Sequence, residues 1–255
     1  MKVVILAGGV GSRLSDETAI RPKPMIEIGH RPILWHIMKH YSHFGFNEFV
    51  LCLGYKGDYI KRYFTEALGA SNDLTVDFTT GCVEQHRSTA EPWRVTMVDT
   101  GQHSETAGRL LKVREFLDDD TFMLTYGDGV ADIDLAELVK FHRGHGRIAT
   151  VTAVHPTARF GHLTLDGEIV TTFDEKPQMS GGWINGGYFV LQPEIFDYIP
   201  GDVDWAREPM DGLAGDRQLA AYRHHGFWQC MDTFRDKLYL NGLWDGGSPP
   251  WKVWP

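Results

Sequence analysis

Residues 6–14 read Leu6-Ala7-Gly8-Gly9-Val10-Gly11-Ser12-Arg13-Leu14, directly after a short apolar run from Lys2 to Ile5. A strand that opens into a glycine-rich loop brings backbone N–H groups close to a bound phosphate, because no side chain blocks the approach. Arg13 adds a fixed positive charge inside the loop. A second basic element, Arg21-Pro22-Lys23-Pro24, follows and is held by two prolines. The pair predicts a nucleoside triphosphate site at the carboxyl end of the first strand. Two commoner glycine loops are excluded. A dinucleotide fingerprint starting at Gly9-Val10-Gly11 needs a third glycine where Leu14 stands, and a phosphate-binding P-loop needs a terminal Gly-Lys-Ser/Thr that is absent. A nicotinamide site also wants an acidic residue closing the second strand, which here ends Cys52-Leu53-Gly54.

Outward from the loop, apolar runs alternate with helical patterns. Strands are expected at Lys2–Ala7, Glu48–Gly54, Leu74–Phe78, Arg94–Val98, Phe122–Tyr126 and Ile148–Val154. Helices are expected from Pro32 to Gly45, Gly57 to Leu68, Thr106 to Leu117 and Leu135 to His145. Such alternation implies an α/β fold with a mainly parallel sheet covered on both faces. From Phe160 the pattern changes. Leu163–Leu165 and Ile169–Phe173 flank the turn signal Asp166-Gly167, Tyr188–Leu191 is a further strand, and Pro193–Tyr198, Leu213–Ala221 and Thr233–Leu243 read as helices. No linker or repeat interrupts residues 1–255, so one domain is expected. Residues 1–130 form mainly its nucleotide-binding half, and residues 131–255 a half whose inserted strands make a sugar-binding lobe and whose tail is rich in Gly, Pro and Trp.

Composition narrows the function. A formal net charge of −9 argues against non-specific nucleic-acid binding. An acidic chain that handles an anionic substrate must cluster its cations, and Arg13, Arg21, Lys23, Arg109 and Lys176 are candidates. No apolar run approaches the ~20 residues of a membrane span, no secretory signal is visible, and Cys52, Cys82 and Cys230 lack metal-like spacing. These features suit a reducing cytoplasm. His36 and His40 lie four apart on a helix, but Ile37 stands where a zinc protease carries glutamate, so a surface or packing role is expected. Asp132 and Asp134 precede a helix and read as capping residues.

The glycine loop and Arg21-Pro22-Lys23-Pro24 together resemble the sugar-1-phosphate nucleotidylyltransferases, where LAGGxGTRL precedes (R/K)PKP. The resemblance runs on through Tyr126-Gly127-Asp128-Gly129, Phe173-Asp174-Glu175-Lys176-Pro177, Asn185-Gly186-Gly187-Tyr188 and Trp228-Gln229-Cys230-Met231-Asp232-Thr233. The last segment, with Glu91-Pro92-Trp93, Val98-Asp99-Thr100-Gly101 and Gly242-Leu243-Trp244, is similar to the family's cytidylyltransferase branch. It implies a Rossmann-like three-layer α/β/α architecture, CTP and glucose 1-phosphate as substrates, Mg²⁺ as cofactor, and a homo-oligomer that supplies CDP-linked sugars for bacterial surface polysaccharides. The residues do not derive cytosine. dTTP or UTP with glucose 1-phosphate, GTP with mannose 1-phosphate, and a regulatory subunit that binds without turnover stay open.

By the same resemblance, Leu6, Ala7, Gly8, Gly9, Gly11, Ser12, Arg13, Lys23, Ser104, Arg109 and Asp128 would bind the nucleotide. Arg13 and Lys23 would neutralise the departing pyrophosphate as the catalytic cations. Ser12 departs from the family's threonine but keeps the hydroxyl. Asp128 and Asp232 would hold the metal, although Asp128 also reads as a turn residue and Asp232 as a helix N-cap. Gly161, Glu175, Lys176, Asn185 and Gly186 would hold the sugar phosphate. Trp244, Trp251 and Trp254 are expected either to dock on the parent body or, as the favoured alternative, to pack on a neighbouring subunit.

Overall fold

The strand Val3–Leu6 lies inside the sheet, paired in parallel with Glu48–Leu53 on one side and with Phe122–Tyr126 on the other. The computed structural model describes residues 1–9, 11, 14–70, 72–156, 162–166, 168–174 and 182–255. Among these, seven strands form one sheet in the order Leu219–Arg223, Ala149–Val154, Ile184–Leu191, Phe122–Tyr126, Val3–Leu6, Glu48–Leu53, Arg94–Asp99. Ile184–Leu191 alone runs against the rest, being antiparallel to both of its neighbours. The chain builds outward from Val3–Leu6 through Glu48–Leu53 to Arg94–Asp99, then returns to the other side of the first strand as Phe122–Tyr126. That reversal opens a crevice beyond the carboxyl ends of Val3–Leu6 and Phe122–Tyr126, where open α/β sheets bind ligands.

Side-chain alternation along the strands creates the layers. Val3, Ile5, Phe49, Leu51 and Met123 point into one apolar cluster, together with Ile33, Ile37 and Tyr41 of the helix Ile33–His43. Val4, Val50, Cys52, Phe122 and Leu124 point into a second, with Leu110, Val113, Trp205 and Leu213. Successive strand residues face opposite sides, so a sheet apolar on both faces needs a covering layer on each. The expected three-layer α/β arrangement is therefore present. Among the described residues no helix is long and apolar enough to cross a membrane.

One expectation needs correction, and the structure fills in two places that the sequence left open. The run 213–221 is not a helix. Glu208–Gly215 is helical, Arg217 turns the chain at φ 57°, and Leu219–Arg223 becomes the edge strand beside Ala149–Val154. Leu219-Ala220-Ala221 has good helix formers, but the backbone pairing offered by an open sheet edge outweighs that preference. Residues Cys82–Ser88, unassigned from sequence, pair with Asn72–Asp77 as a hairpin. The tail docks on its own chain: Trp251 is fully buried and Trp254 nearly so, around His36. A single chain thus already buries these two indoles, which is the first of the two expected placements.

His36 and His40 are packing residues. His36 Nε2 lies 3.0 Å from the Ile28 carbonyl and His40 Nε2 2.8 Å from that of Ile133. The Trp251 indole donates to His36 Nδ1 at 3.4 Å. His142 sits between Thr150 Oγ1 at 2.8 Å and the Gln192 side-chain amide at 2.9 Å. Burial pushes the pKa of His36, His40 and His142 down to about 4 from the ordinary 6.5.

Removing the Trp251 side chain is expected to cost about 3–5 kcal/mol of unfolding free energy, since a fully buried indole is lost. Lowered folded-state histidine pKa values make the unfolded chain bind more protons, so stability is lost as pH falls from 6.5 towards about 4. Between pH 7 and pH 5 the loss should be on the order of 1 kcal/mol per histidine, read as a lower urea midpoint. A midpoint that does not move would contradict neutral burial of these rings.

Candidate active site

Two adjoining hollows occupy the crevice, about 290 and about 270 Å³ in volume, and both are lined by Tyr126 and Asp128. The first is built on the glycine loop: Leu6, Gly8, Gly9 and Gly11 line it with Lys23, Ser104 and Arg109. The second is lined by Asn185, Gly186, Trp228, Cys230 and Asp232. Each volume is near the lower end of small-molecule sites, and the joined pair suits two ligands meeting at the shared residues.

At the junction, Lys23 Nζ donates to Asp128 Oδ2 at 2.7 Å and to Asp232 Oδ1 at 2.5 Å. Local structure explains how residues so distant in sequence meet. Gly129–Ala131 pairs antiparallel with Trp228–Cys230, so Asp128 and Asp232 flank the same ladder. The Met231 amide donates to the Asp128 carbonyl at 2.8 Å and tightens that end. Lys23 opens a short 3-10 turn framed by Pro22 and Pro24. The following helix, Phe234–Asp245, is capped by Thr233 in a capping box with Asp236. The expected N-cap role of Asp232 thus passes to its neighbour, and its carboxylate meets Lys23.

Burial opposes the Lys23 charge, but Asp128 and Asp232 outweigh it, and the ammonium pKa lies above its ordinary 10.5. Nearby, burial first and then the charges of Asp232 and Asp128 push the Cys230 thiol up to about 12. Cys230 is therefore a neutral wall residue at neutral pH. The oxygens of Asp128 and Asp232 are hard donors already gathered around a cation. Among the described residues no cluster of three or more His, Cys, Asp or Glu could complete a metal shell. A divalent cation held here must draw further ligands from water or from substrate oxygens. That fits Mg²⁺, which binds through one or two carboxylates plus phosphates.

Arg109 does more than face the first hollow. It is buried, and its guanidinium donates to the carbonyls of Leu53, Gly8, Gly101 and Gln102 and to Thr100 Oγ1. It ties the glycine loop to the loops after Glu48–Leu53 and Arg94–Asp99. A Cβ on Gly8 would lie 2.5 Å from Arg109 Cζ, so a side chain there would push the guanidinium out of its clamp. Gly11 has φ 67°, and a Cβ there would lie 3.0 Å from both Lys23 Cβ and Thr18 Cγ2. The loop is thus packed directly on the Lys23 stem.

Of the sequence-predicted residues, Leu6, Gly8, Gly9, Gly11, Lys23, Ser104, Arg109 and Asp128 converge on the first hollow, and Asn185, Gly186, Asp128 and Asp232 on the second. Ala7 is buried behind the loop, its amide donating to Cys52 O at 3.0 Å, and does not line either. Arg21 is drawn away by Glu27 at 2.7 Å, so it does not join the cation cluster. Ser12, Arg13, Gly161, Glu175 and Lys176 lie outside the described residues. Ser104 Oγ is engaged by Thr100 O and Lys112 Nζ at 2.6 and 2.7 Å. Asn185 Oδ1 accepts from Gly187 N at 2.8 Å and shapes the turn into its strand. Asp134 caps the helix Leu135–His145 as expected, while Asp132 lies 2.8 Å from His224 Nε2.

Sequence reasoning missed Glu105 and Thr106, which line the first hollow where the helix Thr106–Lys112 begins. It also gave no role to Trp228, whose indole donates to Gly186 O at 2.7 Å and anchors the second hollow. Trp228 belongs to a segment already singled out, so its place was legible although its task was not.

Residues 2–223 match the nucleotidyl transferase family. The chain is 52% identical over 256 aligned residues to glucose-1-phosphate cytidylyltransferase of Salmonella typhi, covering 100% of both chains. It is 30% identical to mannose-1-phosphate guanylyltransferase catalytic subunit beta of Dictyostelium discoideum, over 95% of this chain and 64% of that one. The fold is similar to the crystal structure of HddC from Yersinia pseudotuberculosis, with a TM-score of 0.69 and 21% identity, covering 95% of this chain and 99% of that one.

Arg109→Ala should lower unfolding free energy by about 2–3 kcal/mol, because several hydrogen bonds from a charged donor disappear. Unchanged stability in chemical denaturation would contradict the clamp.

Proposed function

The chain belongs to the nucleotidyl transferase family, and on that premise we propose that it transfers the cytidylyl group of CTP to glucose 1-phosphate, releasing pyrophosphate and CDP-glucose. The observation that carries the reading is the two-part cleft whose halves meet at Asp128 beside Lys23. Full-length similarity to the Salmonella cytidylyltransferase, against a more distant guanylyltransferase that the chain spans only in part, supports cytosine and glucose.

The chemistry is a single displacement. A phosphate oxygen of glucose 1-phosphate attacks the α-phosphorus of CTP, and the bond from that phosphorus to the bridging oxygen of pyrophosphate breaks in line. Both reactants are anions, so the enzyme must supply positive charge and alignment rather than a covalent partner. In this reading the first hollow takes the nucleotide, with the glycine loop amides against its phosphates. The second takes the sugar phosphate, against Asn185, Gly186 and the wall formed by Trp228. Lys23 sits where the two meet and neutralises charge on the departing pyrophosphate, with Arg13 as its partner in the loop. Asp128 and Asp232 would hold a magnesium ion, which when bound supplies further positive charge to the reacting phosphates. Glu175 and Lys176 would grip the sugar phosphate.

We extend the reading to a homo-oligomer in the cytoplasm whose product feeds bacterial surface-polysaccharide synthesis. The outward apolar side chains Leu74, Val76, Phe78 and Val83 of the hairpin support the first part, and the three unpaired thiols, Cys52, Cys82 and Cys230, the second.

Pyrophosphate release with Mg²⁺ and glucose 1-phosphate, compared across CTP, dTTP, UTP, ATP and GTP, is expected to favour CTP strongly. Preference for another nucleotide would overturn the cytidylyl assignment, and release with none of them would overturn turnover. Lys23→Ala and Asp128→Asn should each lower kcat by about 10²–10³-fold with smaller changes in KM, since both act on charge that moves in the transition state. Near-normal turnover in Asp128→Asn would remove the metal assignment.

A further inference from the structure

Lys23 is placed where a metal would be expected. Its ammonium takes one oxygen from each of Asp128 and Asp232, at 2.7 and 2.5 Å, and only 13% of the Lys23 side chain is exposed. Both distances are those of charge-assisted hydrogen bonds. A divalent cation bridging the same two oxygens would meet the ammonium at close range and be repelled by it. We infer that in the nucleotide-free enzyme Lys23 is a resident surrogate cation that keeps divalent metal out of the Asp128–Asp232 pair until a nucleotide draws its ammonium away.

Two further observations support this. The protein alone offers too few ligands there: among the described residues no group of three or more His, Cys, Asp or Glu could hold a metal ion, and the neighbouring Cys230 thiol donates to Asp232 Oδ2 at 3.7 Å. Metal binding before nucleotide would therefore gain little and would have to displace an ammonium. Lys23 also lines the first hollow, and its stem packs against Gly11 of the glycine loop. A polyphosphate on that loop gives the ammonium a second anionic partner and brings oxygens that can complete a metal shell. Charge balance at the carboxylate pair favours the exchange: two carboxylates and one ammonium leave a single negative charge, whereas a divalent cation in the ammonium's place neutralises both carboxylates. The device spares the empty enzyme two neighbouring carboxylates with no cation between them, at 26–29% exposure, and makes nucleotide and metal binding mutually dependent.

The inference rests on the metal role given above to Asp128 and Asp232, and the test separates the two. Mn²⁺, a hard divalent ion with similar oxygen preference, is titrated into nucleotide-free protein and bound ion is read by electron paramagnetic resonance. Wild type, Lys23→Met, Lys23→Gln, Asp128→Asn and Lys23→Met/Asp128→Asn are compared, with a parallel water-proton relaxation titration in the presence of CTP and no sugar phosphate. Both Lys23 variants are expected to bind one Mn²⁺ at least about tenfold more tightly than wild type without nucleotide. Asp128→Asn should abolish that gain, and CTP should close most of the gap between wild type and the variants. Equal nucleotide-free affinity in wild type and both Lys23 variants, with Asp128→Asn weakening all, would overturn the surrogate and leave the metal site standing. Indifference to Asp128→Asn in every background, with and without CTP, would overturn the metal site and the surrogate together.

Discussion

One ammonium between two carboxylates organises this molecule's working end. Lys23, Asp128 and Asp232 come from the first loop region, the end of a central strand and the segment before the last helix, and their meeting requires the rest of the fold. The sheet must reverse direction beside Val3–Leu6 so that Asp128 emerges next to the glycine loop. The short ladder between Gly129–Ala131 and Trp228–Cys230 must return the chain to the same spot. Thr233 must take the helix cap so that Asp232 can serve the site. The ammonium is stabilised by both carboxylates and offsets their mutual repulsion, which is how an acidic chain keeps a concentrated cation at an anion-handling site.

A second cation, Arg109, does a structural job in addition to lining the first hollow. Its donors go to backbone carbonyls, so its charge works as scaffold. The two cations divide the glycine loop between them: Gly8 is held against the Arg109 guanidinium and Gly11 against the Lys23 stem. Gly8 and Gly11 thus owe their close surroundings to protein side chains, quite apart from any phosphate.

The sheet was legible wherever strands are buried on both faces, because Ile-Leu-Val runs such as Val3–Leu6 and Glu48–Leu53 have one stable interpretation. The helix Leu135–His145 was legible to the residue, since Asp134 and Gly146 mark its ends. Legibility failed at the edges. Leu219–Arg223 pairs on one side only, so its composition says little about its state, and Cys82–Ser88 is too polar to show a buried face. In the site, residue types announced the charged junction. They did not reveal that Arg21 would turn to Glu27, that Arg109 would turn to carbonyls, or that Thr106 and Trp228 would wall the hollows. Those outcomes are decided by which partner lies closest after folding, which composition and spacing do not carry.

In the proposed reaction Lys23 and the carboxylate-held metal act on the same chain of phosphates, so their contributions to the chemical step are not independent. The direct measurement is a double-mutant cycle on the single-turnover rate of CDP-glucose formation, using Lys23→Met, Asp232→Asn and the double variant. The account expects strong non-additivity, with the double variant little slower than the slower single. Losses that simply multiply would show that Lys23 and Asp232 act separately and would contradict it.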